Sequence, residues 1–428
     1  MKKLIIIPVF AFAINYNTII SNIPNSYVYK LSKNKVTLSQ KALNATKALN
    51  YGKLDVSYNA VRFFTRPVMK ITSPMPVTAL PDGSLVYQNV NSELPMSDKS
   101  HFIGEIKYSY PLFTGYAITS SIEKSKLNVL KEKLNFQNTK RVLILNATKL
   151  YSAIYALKQE QNALQKAKVA LLSAKDKAKA LFKAGLINKA QIDEIDAKYY
   201  NVLAQIKSVN SKKEELKNTL SSLLNMKIDS IDTLPEVSIF NNLDAKNRPD
   251  VKAIKLELKI QDKNLKLAKS SFYPKLLAQV ALKKEADNLG LSKNDYQNID
   301  KSYIAIGVEY NIFNGGEDKE KLEMAKIAKI QATLFYKDYL QKAKTELKND
   351  LSTLNALKYQ LKAAQSEVKA RKSYYDYIRA KFNEGLVDSS DLNDAIAKLA
   401  ISRAKKDKIK ADIFFYTIKA NLDGKGSL

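Results

Sequence analysis

When the chain is slid along itself by 200 residues, two separated segments come into register without a gap. Tyr108, Tyr110, Phe113 and Gly115 of KYSYPLFTG fall on Val308, Tyr310, Phe313 and Gly315 of GVEYNIFNG. Further on, Phe182, Gly185 and Leu186 of LFKAGLINKAQIDEIDAK fall on Phe382, Gly385 and Leu386 of KFNEGLVDSSDLNDAIAK, with Ala197 and Lys198 on Ala397 and Lys398. One offset serving both segments marks a duplication, so whatever one copy folds into, the other must also build. Upstream the best offset is 207 residues, which places Pro67 on Pro274 and reads Gln40 to Phe64 as a helix matching Asn247 to Ser271. The difference is assigned to a longer, Pro-rich surface loop between Pro67 and Tyr108. Gly52 sits awkwardly inside that helix, where a helix former is usual.

Each copy carries a long heptad stretch. Leu143, Leu150, Leu157, Leu164 and Leu171 recur every seven residues in the first, and Leu347, Leu354, Leu361, Val368, Tyr375 and Phe382 in the second. Between Tyr116 and Phe182 there is no proline or glycine, and a single helix of that length would run roughly 100 Å. Two helical hairpins are expected, over about 116–225 with a tip near Gly185 and over about 317–422 with a tip near Gly385. Many seam positions are alanine bordered by lysine, which fits a hollow bundle wall, and a solid coiled coil explains the heptads equally well.

The strands discriminate between those two. Ile304, Ile306, Val308, Tyr310 and Ile312 alternate with Ala305, Gly307, Glu309 and Asn311, and Ile106, Tyr108, Tyr110 and Leu112 alternate with Lys107, Ser109 and Pro111. Partner strands follow each proline: Leu276, Ala278, Val280 and Leu282 alternate in one, and a weaker pattern runs from Val68 to Thr72 in the other. Strands are therefore expected at about 67–73, 103–113, 274–283 and 303–313. Nine to eleven residues with one apolar face is the length of a membrane-barrel strand, and Tyr108, Tyr110, Phe113, Phe272, Tyr273, Tyr303, Tyr310 and Phe313 would form its interfacial belt. Four strands cannot close a barrel, and an open edge in lipid leaves backbone groups without partners. Oligomerisation follows, and three copies would give twelve strands.

The first thirteen residues, MKKLIIIPVFAFA, have the charged start, apolar run and small-residue end of a secretory signal. The chain then divides into signal peptide 1–13, first repeat 14–227, linker 228–247 and second repeat 248–428. No cysteine is present, so no disulfide, thiolate metal site or acylated cysteine can form within these residues. With His101 the only histidine, and with no Gly-rich phosphate loop or metal-ligand spacing, neither a catalytic site nor a cofactor or metal is expected. The net charge of +28 comes from lysines scattered along helical stretches, which reads as a solvated surface; no nucleic-acid partner is expected.

Four short features, by their spacing and duplication, resemble the TolC-like outer membrane factor family: Arg248-Pro-Asp250, Phe272-Tyr-Pro274, Phe313-x-Gly-Gly316, and the Phe-x-x-Gly-Leu pair at 182–186 and 382–386. The resemblance covers essentially the whole chain after the signal. It implies a mainly α fold with transmembrane β: two tandem β-β-long α-hairpin repeats, a homotrimer with a twelve-stranded outer-membrane barrel, and a coiled-coil periplasmic tunnel. It also implies a passive conduit for efflux or type I secretion, set in outer-membrane lipid. Its hairpin tips, marked by Phe182, Gly185, Leu186, Phe382, Gly385 and Leu386, would dock a periplasmic adaptor bound to an inner-membrane RND or ABC transporter. Family members often close the tunnel with aspartates six and nine residues after the second tip glycine, here Asp391 and Asp394; the first-hairpin equivalents are Gln191 and Glu194. An acidic ring would filter cations and gate, whereas Asp391 could equally complement a helix dipole. The arginine some relatives carry two residues after that glycine is Val387 here. A structural coiled-coil protein of the envelope is the alternative reading.

Overall fold

The computed structural model of the chain describes residues 13–426, so the expected signal peptide, 1–13, lies outside the described residues except for Ala13. Contacts divide the chain into two compact units. One comprises residues up to Ser39 with Asn128–Leu258 and Gln331 onward; the other comprises Gln40–Leu127 and Lys259–Ile330. The helices are α1 (Tyr16–Ser21), α2 (Tyr27–Ala48), α3 (Ala117–Lys183), α4 (Lys189–Leu224), α5 (Pro249–Lys269), α6 (Glu317–Asn383) and α7 (Ser389–Lys425). The strands are β1 (Lys53–Arg62), β2 (Val68–Ala79), β3 (Leu85–Pro95), β4 (Ser100–Thr114), β5 (Lys275–Ala286) and β6 (Tyr303–Glu309).

The second unit holds an antiparallel four-stranded sheet in the order β1-β4-β5-β6. Directly opposed residues share a face, and the register lines up Leu54, Tyr108, Val280 and Ile304 in one apolar row. Val56, Ile106 and Leu282 form a second row beside it. The opposite face is mixed, with Lys53, Ser109, Gln279 and Ala305 in line. The apolar face is uncovered within the chain: Leu54 is 65% exposed and Ile304 81%. β1 and β6 are free margins of this sheet.

One strand differs from the sequence expectation. The partner of β4 is β1, not the segment at 67–73, which instead lies in β2 and pairs with β3 as a separate two-stranded ribbon. The stretch read as helix to Phe64 ends before Gly52, whose φ of +74° and close approach to the Ser109 carbonyl turn the chain from helix into strand. Leu54, Val56, Tyr58 and Ala60 then alternate with Asp55, Ser57 and Asn59. The true match is Lys53 on Lys275, an offset of 222 residues, and the inserted length is the β2–β3 ribbon. Pro74 and Pro76 are tolerated there because a ribbon strand has an unpaired side. β6 also stops at Glu309, short of Phe313. Glu309 pairs with Lys275, and the next residue on that partner is Pro274, which has no N–H to continue the ladder.

The first unit is helical. Its main core gathers Tyr16 and Ile19 of α1, Leu143, Tyr151 and Ile154 of α3, Leu220 and Leu224 of α4, and Phe414 and Ile418 of α7. Ile228 and Ile231, in the segment expected to be a polar linker, are buried in the same core. That segment is also fastened to α7: the fully buried Asn421 accepts from the Phe240 N–H at 2.8 Å and donates to the Ser238 carbonyl at 2.9 Å. Alanines 147, 167, 174 and 178 are buried on α3, so small residues bring neighbouring backbones close at these seam positions.

Candidate functional site: the paired helix tips and the root of the last helix

The two Phe-x-x-Gly-Leu motifs are helix stops. Gly185 and Gly385 adopt φ of +72° and +76°, conformations that cost other residues a Cβ clash. The Gly185 N–H bonds the Phe182 carbonyl and the Leu186 N–H that of Leu181; Gly385 and Leu386 repeat the arrangement with Phe382 and Lys381. The next helix starts three residues on. Asn188 accepts from the Gln191 N–H at 3.2 Å, and Asp388 accepts from the N–H groups of Ser390 at 2.9 Å and Asp391 at 3.1 Å.

The tips are alike in backbone and unlike in side chains. Phe182 is 44% exposed, whereas Phe382 is 2% exposed and packs with Ile378, Leu392 and Ile396. Leu186 and Leu386 both project into solvent. Phe382 is therefore a core residue of its tip rather than a free docking group. Asp391 lies exposed in the first turn of α7, and Asp394, one turn on, is exposed and pairs with Lys398 at 3.3 Å. Glu194 takes a different part: it accepts a hydrogen bond at 3.2 Å from Ser389, the first residue of α7, so it joins the two tips within one chain. Gln191 is half-buried. The structure thus keeps Asp391 and Asp394 on one exposed helix face and gives Gln191 and Glu194 a packing role.

A second constellation builds on the Arg-Pro-Asp motif and joins it to residues far away in the sequence. Arg248 grips Asp250 with two hydrogen bonds, of 3.1 and 2.7 Å, and reaches Glu346 at 2.7 Å. Arg141 of α3 donates to Asp423 of α7 and lies 3.4 Å from Asp250. The Tyr339 hydroxyl donates to Asp250 at 2.8 Å, and Lys419 donates to Asp350 at 2.7 Å while standing 3.2 Å from Glu346. Arg141, Arg248, Asp250, Asp350 and Asp423 are all buried. Burial raises the Asp250 carboxyl, but Arg248 and Arg141 outweigh it and hold the group below the usual carboxylate range. At Asp423 burial wins over the same two guanidiniums, and its carboxyl is pushed up to about 6. The Arg-Pro-Asp motif now has a physical reading: Pro249 opens α5 at its first turn, while Arg248 and Asp250 on either side tie it to α3 and α6.

Residues 242–413 match the sequence model of the family described as Outer membrane efflux protein. A curated relative, the probable outer membrane lipoprotein SilC of Salmonella typhimurium, is 25% identical over 151 residues, which is 35% of this chain and 32% of that protein. The matched segment thus spans about a third of the curated relative's length. Among solved structures the fold resembles CusC with a TM-score of 0.80 at 17% identity, covering 96% of this chain and 92% of that one. It resembles the Campylobacter jejuni outer membrane channel CmeC with a TM-score of 0.78 at 16% identity, covering 96% and 85%. The element order, a four-stranded sheet with two long helical hairpins, is shared with these channels over nearly the whole chain. Over residues 242–413 the chain thus resembles the outer membrane efflux proteins, and its fold is that of the outer-membrane channels CusC and CmeC.

Proposed function

We propose that three copies of this chain close a twelve-stranded barrel in the outer membrane and continue as a helical tunnel, forming the passive exit duct of a tripartite efflux or type I secretion system. The observation that carries this reading is the four-stranded sheet with an uncovered apolar face and two free margins, β1 and β6. Such a face belongs against lipid, and such margins need partners, which β6 of one copy and β1 of the next supply to each other. An uncovered apolar sheet also disfavours a purely structural coiled-coil protein.

In this reading the exposed Leu186, Leu386 and Phe182 at the tips meet a periplasmic adaptor, which connects to an inner-membrane RND or ABC pump that supplies the energy. Asp391 and Asp394 from three copies form an acidic constriction that concentrates cations and resists closure by mutual repulsion. Because the chain has no cysteine, introduced ones report cleanly. Paired cysteines scanned along β1 and β6 should trap a covalent trimer in membranes; a product confined to monomers, or ladders beyond the trimer, rejects the closed three-copy barrel.

A further inference from the structure

The network at the root of α7, largely buried but with Glu346 exposed, is short of one positive charge. Asp250, Glu346, Asp350 and Asp423 face Arg141, Arg248 and Lys419, so four carboxylates meet three cations. The shortage is localised. Each oxygen of Asp250 is hydrogen-bonded, and Glu346 is held by Arg248 and Lys419. By contrast one oxygen of Asp350 and one of Asp423 are buried with no hydrogen-bond partner. Asp423 is 0% exposed and Asp350 4%, so water does not screen the repulsion between them. Glu346, Asp350 and Asp423 each bring an oxygen within 4.8 Å of the others.

We propose that the Asp350 and Asp423 side chains share one added proton, and that this proton acts as an acid-tightened clamp between α6 and the end of α7. With the proton in place, a carboxyl of one residue donates to the orphan oxygen of the other, and the network is neutral. Without it, two buried carboxylates repel and α7 loosens at its root. A proton fits this place better than a metal ion. The Lys419 ammonium already sits between Asp350 and Glu346, and the Arg248 guanidinium stands 4.0 Å from Asp423, so a divalent cation would meet like charge on both sides.

Asp423 is faced by Arg141 of α3, Arg248 ahead of α5, Glu346 of α6 and Lys419 of α7 itself; Asp350 is faced by Lys419, Glu346 and Arg248. Burial raises both carboxyls in spite of these cations. A folded-state value above the unfolded one stabilises at low pH, and that stability is lost as pH rises toward and through about 6. Asp250 and Glu346 are shifted downward, and their contributions fade only below the ordinary carboxylate range, so they leave the window above it clear.

The test uses the full chain, assembled in detergent, with helix melting followed by circular dichroism from pH 5 to 8 and protonated carboxyl followed by infrared difference spectroscopy. The unfolding constant should rise with pH by up to about tenfold per unit per proton released, most steeply below pH 6, and level off above it. Asp423→Asn places a hydrogen-bearing amide where the protonated oxygen would stand, and should flatten that slope and remove the protonated-carboxyl band. If that variant does not assemble, Asp350→Asn serves the same purpose. A wild-type slope in an assembled variant, or no carboxyl band at pH 5, overturns the proposal. So does a slope that appears only with magnesium and vanishes with chelator, since a metal ion would then hold the site.

Discussion

The guanidinium of Arg141 donates to the carboxylate of Asp423, 282 residues further along the chain. A helix of the first copy and the last helix of the second are thereby joined out of reach of solvent. Removing one member of such a pair strands the other. Arg141→Ala should cost about 3–5 kcal/mol of stability, because two buried carboxylates, Asp423 and Asp250, lose a cation together. Denaturant melts of the assembled protein check this, and a loss below about 1 kcal/mol would mean the network is not closed in the assembled state.

The two faces of the sheet should respond differently to charge. Ile306→Lys places a cation on the apolar face, at a cost of about 2–4 kcal/mol near the middle of a bilayer, whereas Ala305→Lys on the other face should be accepted. Recovery of each variant in the outer-membrane fraction measures the difference. Equal recovery of both would reverse the assignment of faces.

Phe382 and Phe182 hold matching places in the repeat and should give opposite phenotypes. Phe382→Ala opens a cavity among Ile378, Leu392 and Ile396 and should cost about 3–5 kcal/mol. Phe182→Ala should change stability by less than about 1 kcal/mol while weakening adaptor binding. Melting together with a pull-down by the adaptor separates the two effects.

At the proposed gate, Asp391→Ala with Asp394→Ala should raise single-channel conductance and abolish block by multivalent cations. Asp388→Ala provides the control: it removes the cap on the N–H groups of Ser390 and Asp391, costing about 0.5–2 kcal/mol without removing either gate carboxylate. Unchanged conductance and unchanged cation block in the double variant would leave Asp391 with its dipole role alone.

Much of the fold was legible because its signals are periodic. The heptad rows of Leu143 to Leu171 and Leu347 to Leu361 gave α3 and α6, and the Gly185 and Gly385 helix stops gave the tips. The alternation of Ile304, Ile306 and Val308 gave β6 and its exposed face. Where the copies differ in length, Pro67 mimics Pro274 and masks the strand, although Gly52 and the alternation from Leu54 to Ala60 mark where it begins. The ion network was hidden for another reason. Its members are scattered from Arg141 to Asp423, and no local pattern joins them. The one available signal was phase. Asp350 sits three residues after Leu347 and four before Leu354, on the buried seam, where a solvated charge has no place.

The pairing of residue 141 with residue 423 also sets an order of events. Until the final turns of α7 have formed, the Arg141 guanidinium and the Arg248–Asp250 fork lack their most buried partner, and Asn421 cannot fasten the segment between the copies. Contacts so distant along the chain form late and slowly. A copy missing the end of the last helix would therefore keep an unfinished polar core and a loose connecting segment, open to proteolysis.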